Sequence, residues 1–275
     1  MKLKDFRYER IYALFYRLTR RLSNRQIMML LAMVVGLLAG LGTYVFEILL
    51  YAIKSCLVNW FPVGRAHFLL LIYPAVGIIL ATLFVKYIVR DNISEGVTRV
   101  LYAMSRRDSR IPAHNCWTSI VGGATTIGFG GSVGPEAPIV LTGAAIGSNV
   151  GRLARLNYRN TTLMLCCGAG AAIAAIFKAP ITGVVFVLEI LMLDITASSV
   201  IPLLIASITA TTIAFVFRGF DPIIAVSLTS ADAFELQQIP MFILLGVLCG
   251  LMSYYFTSVN SRIGAFYKTI RSQSR

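Results

Sequence analysis

The sequence predicts an all-α, polytopic integral membrane protein, and three observations carry this prediction. Of its 275 residues 57% are hydrophobic and only 13% are charged, and the mean hydropathy is +0.76. This composition excludes an ordinary soluble domain, in which about a quarter of the residues are charged. Several apolar runs approach the ~20 residues that a helix needs to cross about 30 Å of hydrocarbon. These runs lack the two-residue alternation of membrane β-strands, so we expect helices.

The first 25 residues form a basic segment. They hold eight Lys or Arg against two acids, part of a formal net charge of +13. We interpret residues 1–25 as an amphipathic helix on anionic headgroups, with membrane lipid as partner. A nucleic-acid arm is disfavoured because nothing else in the chain suggests a nucleic-acid partner. The positive-inside rule predicts a cytoplasmic N-terminus in a plasma or inner membrane, with residues 26–275 as the transmembrane domain.

Apolar runs follow in order after the basic segment. The runs of spanning length are residues 26–53, 67–89, 198–217 and 239–270. Between them lie shorter pieces, interrupted by Gly or Pro, at residues 92–104, 117–129, 135–153, 161–177 and 180–193. Irregular backbone at membrane depth is tolerated only inside protein or beside a water-filled cavity. The short pieces therefore predict broken or re-entrant helices around an ion or substrate site.

The reactive residue types give no sign of an enzyme or a metal site. The five cysteines show no CxxC spacing, and three of them lie inside apolar runs, as expected for buried free thiols. His67 and His114 are isolated from one another and from acids in the sequence. We therefore predict no metal, no cofactor and no catalytic constellation.

The most informative loop is residues 130–138, which read Gly-Gly-Ser-Val-Gly-Pro-Glu-Ala-Pro. Glycines let the backbone approach a ligand, and the first N–H groups of the helix that follows have no intrahelical partner. Together with the positive end of the helix dipole they favour an anion. We expect the anion to contact Ser132, Val133 and Gly134. The alternative for this loop is a turn that serves only close helix packing.

Four segments in order resemble the CLC family of chloride channels and anion/proton exchangers. Residues 131–135 resemble the family's GREGP element, and residues 146–152 resemble the helix that continues from it. Residues 168–183 resemble its Gly/Ala-rich stretch and NAP-type turn, and residues 184–189 resemble the next helix.

The resemblance implies a homodimer in which each subunit has its own anion pathway, built from two inverted halves. It implies that this chain holds the first half plus the next helix and is incomplete at its C-terminal end. The second half's GIFxP-like helix start and pore tyrosine are not found in the sequence. Residues 93–97 resemble the family's GSGIP-like element, with Ser94 and Gly96 as further anion contacts. Glu95 is an alternative to Ser94, and an ordinary helix cap is an alternative to the site.

The resemblance also identifies two positions that decide proton coupling. The family's gating glutamate corresponds to Val133, and its inner proton glutamate corresponds to Ile190. Neither side chain can carry a proton. Glu136 lies three residues beyond Val133 and is expected to complement the helix dipole. Glu189 matches a structural carboxylate of the family, although an acid inside the membrane is also a functional candidate.

The sequence therefore favours a passive, voltage-gated chloride channel subunit, or a fragment of one, without proton coupling. The alternative is an anion/proton exchanger or a fluoride exporter. A further alternative is a non-conducting truncated remnant or an assembly partner.

Overall fold

The computed structural model describes residues 23–60, 69–90, 96–191, 197–219 and 239–273. The predicted basic segment lies almost wholly outside these residues, as does Ser94. The chain divides into two compact units, residues 1–224 and 225–275.

The described part of the first unit is helical. Its helices are α1 (Asn24–Trp60), α2 (Leu69–Leu83), α3 (Gly96–Arg106), α4 (Asn115–Gly128), α5 (Glu136–Leu153), α6 (Tyr158–Phe177), α7 (Pro180–Ile190) and α8 (Ala197–Arg218). A π-helical segment, Phe84–Val89, continues α2 and ends at Arg90, whose φ is 52°. The second unit contributes α9 (Ile239–Gln273), a helix of 35 residues.

The described residues include both helices of spanning length and shorter helices, as the sequence predicted. Five helical stretches have the length and apolar composition to cross a membrane: Asn24–Leu57, Ile72–Val89, Tyr158–Phe177, Ser199–Arg218 and Ile239–Phe266. In contrast, α3 and α7 have 11 residues each and α4 has 14. At 1.5 Å per residue these measure only about 16 to 21 Å, less than the hydrocarbon core. The all-helical architecture with short helices is confirmed.

Helix α6 is the centre of the first unit. Every residue from Leu163 to Ile176 is buried, and the helix packs against α1, α5, α7 and α8. The sequence allows this because Ala and Gly dominate the second half of α6. Small residues let helix backbones approach closely in a membrane, where lipid removes most of the hydrophobic driving force for helix association.

Glycines produce backbone contact between α5 and α6. A Cβ atom added to Gly168 would collide with the carbonyl oxygen of Gly143, and one added to Gly147 would collide with that of Met164. Helices α1 and α8 meet in the same way. There, a Cβ on Gly40 would lie 3.0 Å from the carbonyl oxygen of Ala210. Glycine in α1 therefore allows close packing against α8.

An ion pair also joins α1 to α8, because Arg218 donates to the carboxylate of Glu47. Tyr44 and Phe217 stack beside it with ring centroids 4.7 Å apart. Lys178, in the turn after α6, donates to the carbonyl oxygen of Gly219 at 2.8 Å. One end of the α1–α8 pair is thus held by charge as well as by small residues.

We expect Gly168→Val to destabilise the protein by roughly 1–3 kcal/mol, because the new side chain must force α5 and α6 apart. Gly122→Ala is the matched control, since among the described residues no atom outside the backbone of its own helix turn lies within 4 Å of the added Cβ, and alanine is the better helix former. The midpoint of thermal unfolding in detergent is the measurement. A Gly168→Val midpoint equal to that of the parent would show that the two backbones are not in contact.

Candidate anion site

The site begins where the N-terminus of α3 meets the first turn of α5. Gly96 is buried, and a Cβ added to it would collide with the carbonyl oxygen of Ala137. Only glycine permits this approach. The first N–H groups of a helix lack intrahelical partners, so the contact brings two sets of such donors close together.

The loop between α4 and α5 is held by its own backbone hydrogen bonds. Gly130 has a φ of 87°, a left-handed conformation that glycine adopts without strain. The N–H of Gly131 donates to the carbonyl oxygen of Thr126 at 2.9 Å, and the N–H of Val133 donates to that of Gly131 at 2.9 Å. The amide of Val133, a predicted anion donor, is therefore used inside the loop in this conformation.

A cavity of about 480 Å³ lies beside this loop. Its walls come from α2 and its π-helical continuation, α3, α4, the loop and α5. The lining residues are Ile78, Ala81, Thr82, Val85, Gly96, Ser119, Gly122, Gly123, Thr126, Ile127, Val133, Ala137, Pro138 and Leu141. None of these side chains carries a charge, so an anion in the cavity meets no carboxylate among the lining residues.

The structure brings together some of the predicted site residues. Val133, with 56% of its surface exposed, and Gly96 both line the cavity. Ser132 and Gly134 are exposed in the loop but do not line it. Ile190, at the end of α7, is 39% exposed and does not line it either.

The comparisons with known proteins agree with this architecture. The family model described as "Voltage gated chloride channel" matches residues 76–275, more than half of the chain. The chain belongs to the CLC family. Both this membership and the fold predicted from the resemblance are confirmed. The prediction that the chain is not an enzyme is confirmed by the membership as well.

Two curated relatives carry different descriptions. A protein of Vibrio cholerae, described as the H(+)/Cl(-) exchange transporter ClcA, is 29% identical over 261 residues, which cover 88% of this chain and 54% of that protein. A protein of Ralstonia nicotianae, described as a putative chloride channel protein ClcB-like, is 28% identical over 204 residues, which cover 72% of this chain and 47% of that protein.

Solved structures show the same fold. A slow cyanobacterial Cl⁻/H⁺ antiporter superposes with a TM-score of 0.71 at 25% identity, covering 86% of this chain and 56% of that one. A CLC-type fluoride/proton antiporter gives a TM-score of 0.66 at 27% identity, covering 82% and 55%. The CLC chain described here spans about half the length of these relatives.

In this CLC chain the side chain of Glu136 turns back over the loop. A Cβ added to Gly134 would collide with a carboxylate oxygen of Glu136. The carboxylate thus lies at the N-terminal end of α5, where the helix dipole stabilises negative charge. That Glu136 complements the helix dipole stays a prediction. Glu189, by comparison, is exposed near the end of α7 and does not line the cavity.

A hydrogen-bonded latch holds the connection between α3 and α4 against α5. The Ser148 hydroxyl donates to the carbonyl oxygen of Ser109 at 2.6 Å and accepts from the N–H of Ile111 at 3.0 Å. Asn149 donates its amide to the carbonyl oxygen of Ile111 at 3.2 Å. These hydrogen bonds hold the connection on α5, and the two helices that it joins both contribute to the cavity wall.

The sequence prediction missed the contribution of α4 to the cavity. Ser119, Gly122, Gly123 and Thr126 line it from one face of this helix. Their spacing of three and four residues is typical of a single helix face. This spacing could have indicated from the sequence that α4 forms part of the cavity wall.

We expect Ser148→Ala to lower the free energy of unfolding by about 1–3 kcal/mol, because it leaves the buried N–H of Ile111 without an acceptor. Thr142→Val on the same helix is the control: its buried hydroxyl has no hydrogen-bond partner among the described residues. Thermal unfolding in detergent measures both variants. Equal losses in the two would mean that the latch contributes nothing specific.

Proposed function

We propose that the chain contributes to a CLC-type pathway for chloride or a similar small anion, which binds in the cavity beside Gly96 and Val133. The observation that carries the proposal is the meeting of the α3 N-terminus with the first turn of α5 at a cavity whose lining residues are uncharged. Unpaired N–H groups and dipole ends attract an anion with partial charges only. Partial charges suit transport because the anion must also leave.

The comparisons favour proton-coupled exchange over the passive channel that the sequence favoured. The Vibrio cholerae relative and both solved structures are described as proton exchangers or antiporters. Exchange requires a group on the path that binds and releases a proton. Val133 and Ile190 cannot do so. Among the described residues, Glu136 is the acid nearest in sequence to Val133, and its side chain folds over Gly134. We propose Glu136 as the proton carrier if exchange occurs.

Passive conduction is the second candidate, and one feature of the site favours it. The side chain at the predicted gating position is Val133, which is exposed and lines the cavity. Valine neither competes with an anion through negative charge nor titrates. The predicted homodimer and the cytoplasmic N-terminus stay predictions under either candidate.

A liposome experiment separates these candidates. A chloride gradient is applied across vesicles that contain the protein, and internal pH and chloride are recorded together. Under exchange, protons move uphill, and Glu136→Gln abolishes this movement while Glu189→Gln preserves it. Under passive conduction, chloride moves without protons in the parent and in both variants. Absence of any anion flux from folded protein would defeat the proposal and favour the non-conducting alternative.

We also expect Val133→Glu to slow chloride flux at neutral pH. The introduced carboxylate is negative above its pKa and competes with the anion. It becomes neutral as pH falls through that pKa, so flux should recover on acidification. Val133→Gln is the control of matched size, and its flux should show no such recovery. If Val133→Glu matches the parent at every pH, position 133 does not face the anion path.

A further inference from the structure

Three hydroxyl-bearing residues line the cavity: Thr82, Ser119 and Thr126. The Thr82 hydroxyl donates to the carbonyl oxygen of Ile78 at 2.7 Å. The Thr126 hydroxyl donates to that of Gly122 at 3.0 Å. Each of these two threonines therefore commits its only proton to the preceding turn of its own helix, and neither proton is free for a ligand.

Ser119 differs from both threonines. The residue is 1% exposed, and its hydroxyl oxygen has no hydrogen-bond partner among the described residues. Ser119 lies on the face of α4 that forms the cavity wall, next to two glycines that contribute no side chain. Buried hydroxyls are nearly always paired, because leaving one unpaired costs free energy. Among the described residues with an unpaired buried hydroxyl, only Ser119 lines the cavity, and its proton is therefore available to a ligand there.

The chemistry of the walls indicates what kind of ligand this is. A cation would call for carboxylates or several carbonyl oxygens, and the lining includes no acidic residue. A small monovalent anion needs hydrogen-bond donors, and Ser119 holds the one side-chain hydroxyl proton not already committed among the described lining residues. Gly96 at the start of α3 and Ala137 in the first turn of α5 border the same cavity.

We propose that the Ser119 hydroxyl donates a hydrogen bond to the anion in this cavity and so helps to set its affinity. This proposal rests on the proposed function and assigns a side-chain donor to that site. It makes α4 a third element of the site, beside the N-termini of α3 and α5. A structural water held by Ser119 is the competing occupant, and the experiment below distinguishes the two.

The test measures how chloride stabilises the purified protein in detergent. Sodium chloride is titrated against sodium gluconate at constant ionic strength, and the midpoint of thermal unfolding gives an apparent chloride affinity. We expect Ser119→Ala to weaken this affinity about tenfold or more, as for loss of a hydrogen bond to a charged group. Chloride flux in liposomes should weaken in parallel.

Two control variants are matched to Ser119→Ala. Ser207→Ala removes another fully buried serine hydroxyl that lacks a partner among the described residues, but Ser207 does not line the cavity. Thr142→Val removes a buried hydroxyl on α5 that also lacks a partner among the described residues, and Thr142 does not line the cavity either. Both should keep the parent's chloride affinity. In chloride-free buffer Ser119→Ala and Ser207→Ala should unfold no earlier than the parent, because each loses only an unpaired polar group.

The outcomes separate this inference from the proposed function. A parent protein with neither chloride-dependent stabilisation nor anion flux would overturn both. A parent that responds to chloride, with Ser119→Ala responding equally, would overturn the role of Ser119 and leave the proposed function standing. Equal weakening in Ser207→Ala would also overturn it, because the effect would not be local. If Ser119→Ala fails to fold, Ser119→Cys replaces it. The cysteine thiol is a weak hydrogen-bond donor, so the chloride affinity of this variant should be lower than that of the parent but still measurable. A chloride affinity equal to the parent's would overturn the proposal.

Discussion

Backbone contact between α5 and α6 is the constraint on which the first unit depends. Lipid tails are as apolar as leucine, so burying apolar side chains between helices gains little in a membrane. Close van der Waals contact must supply the stabilisation instead. Gly143 and Gly168 allow it by bringing one helix backbone directly against the other. Helix α6 thereby becomes the buried axis, and α5 takes a fixed position along it.

The position of α5 then determines the geometry of the candidate site. Gly96 sits against Ala137, and a Cβ on Gly123 would lie 2.7 Å from the ring of Pro138. The starts of α3 and α5 and the middle of α4 therefore converge within one turn of α5. The Ser148 latch holds the connection between α3 and α4 on the same helix. A glycine-rich loop can present a defined surface here because the helices on both sides of it are fixed.

The sequence predicted the existence and order of the helices because both follow from local signals, namely the length of apolar runs and the Gly or Pro that interrupts them. The predicted helix boundaries were less accurate than the predicted order of the helices. Helix α1 continues to Trp60, and Pro135 caps α5 instead of opening its first turn. The pair of Glu47 with Arg218 spans 171 positions and depends on which helices meet, so a single sequence could not indicate it. Val133 and Gly96 line one cavity, and their contact with an anion stays a prediction, whereas Ser94 lies outside the described residues.

The internal hydrogen bond of the loop bears on how the proposed site would work. The N–H of Val133 already donates to the carbonyl oxygen of Gly131, so an anion that uses this amide must first displace that carbonyl. Because this exchange breaks one hydrogen bond to form another, it gains less free energy than binding to a free amide would. Glu136 adds a second limit, because its carboxylate and the anion draw on the same end of the α5 dipole. Both effects weaken binding at the loop. Weak binding at the loop suits a pathway that has to release its ion. Under our proposal, the Ser119 hydroxyl on the separate helix α4 then supplies the hydrogen bond that holds the anion long enough for selection.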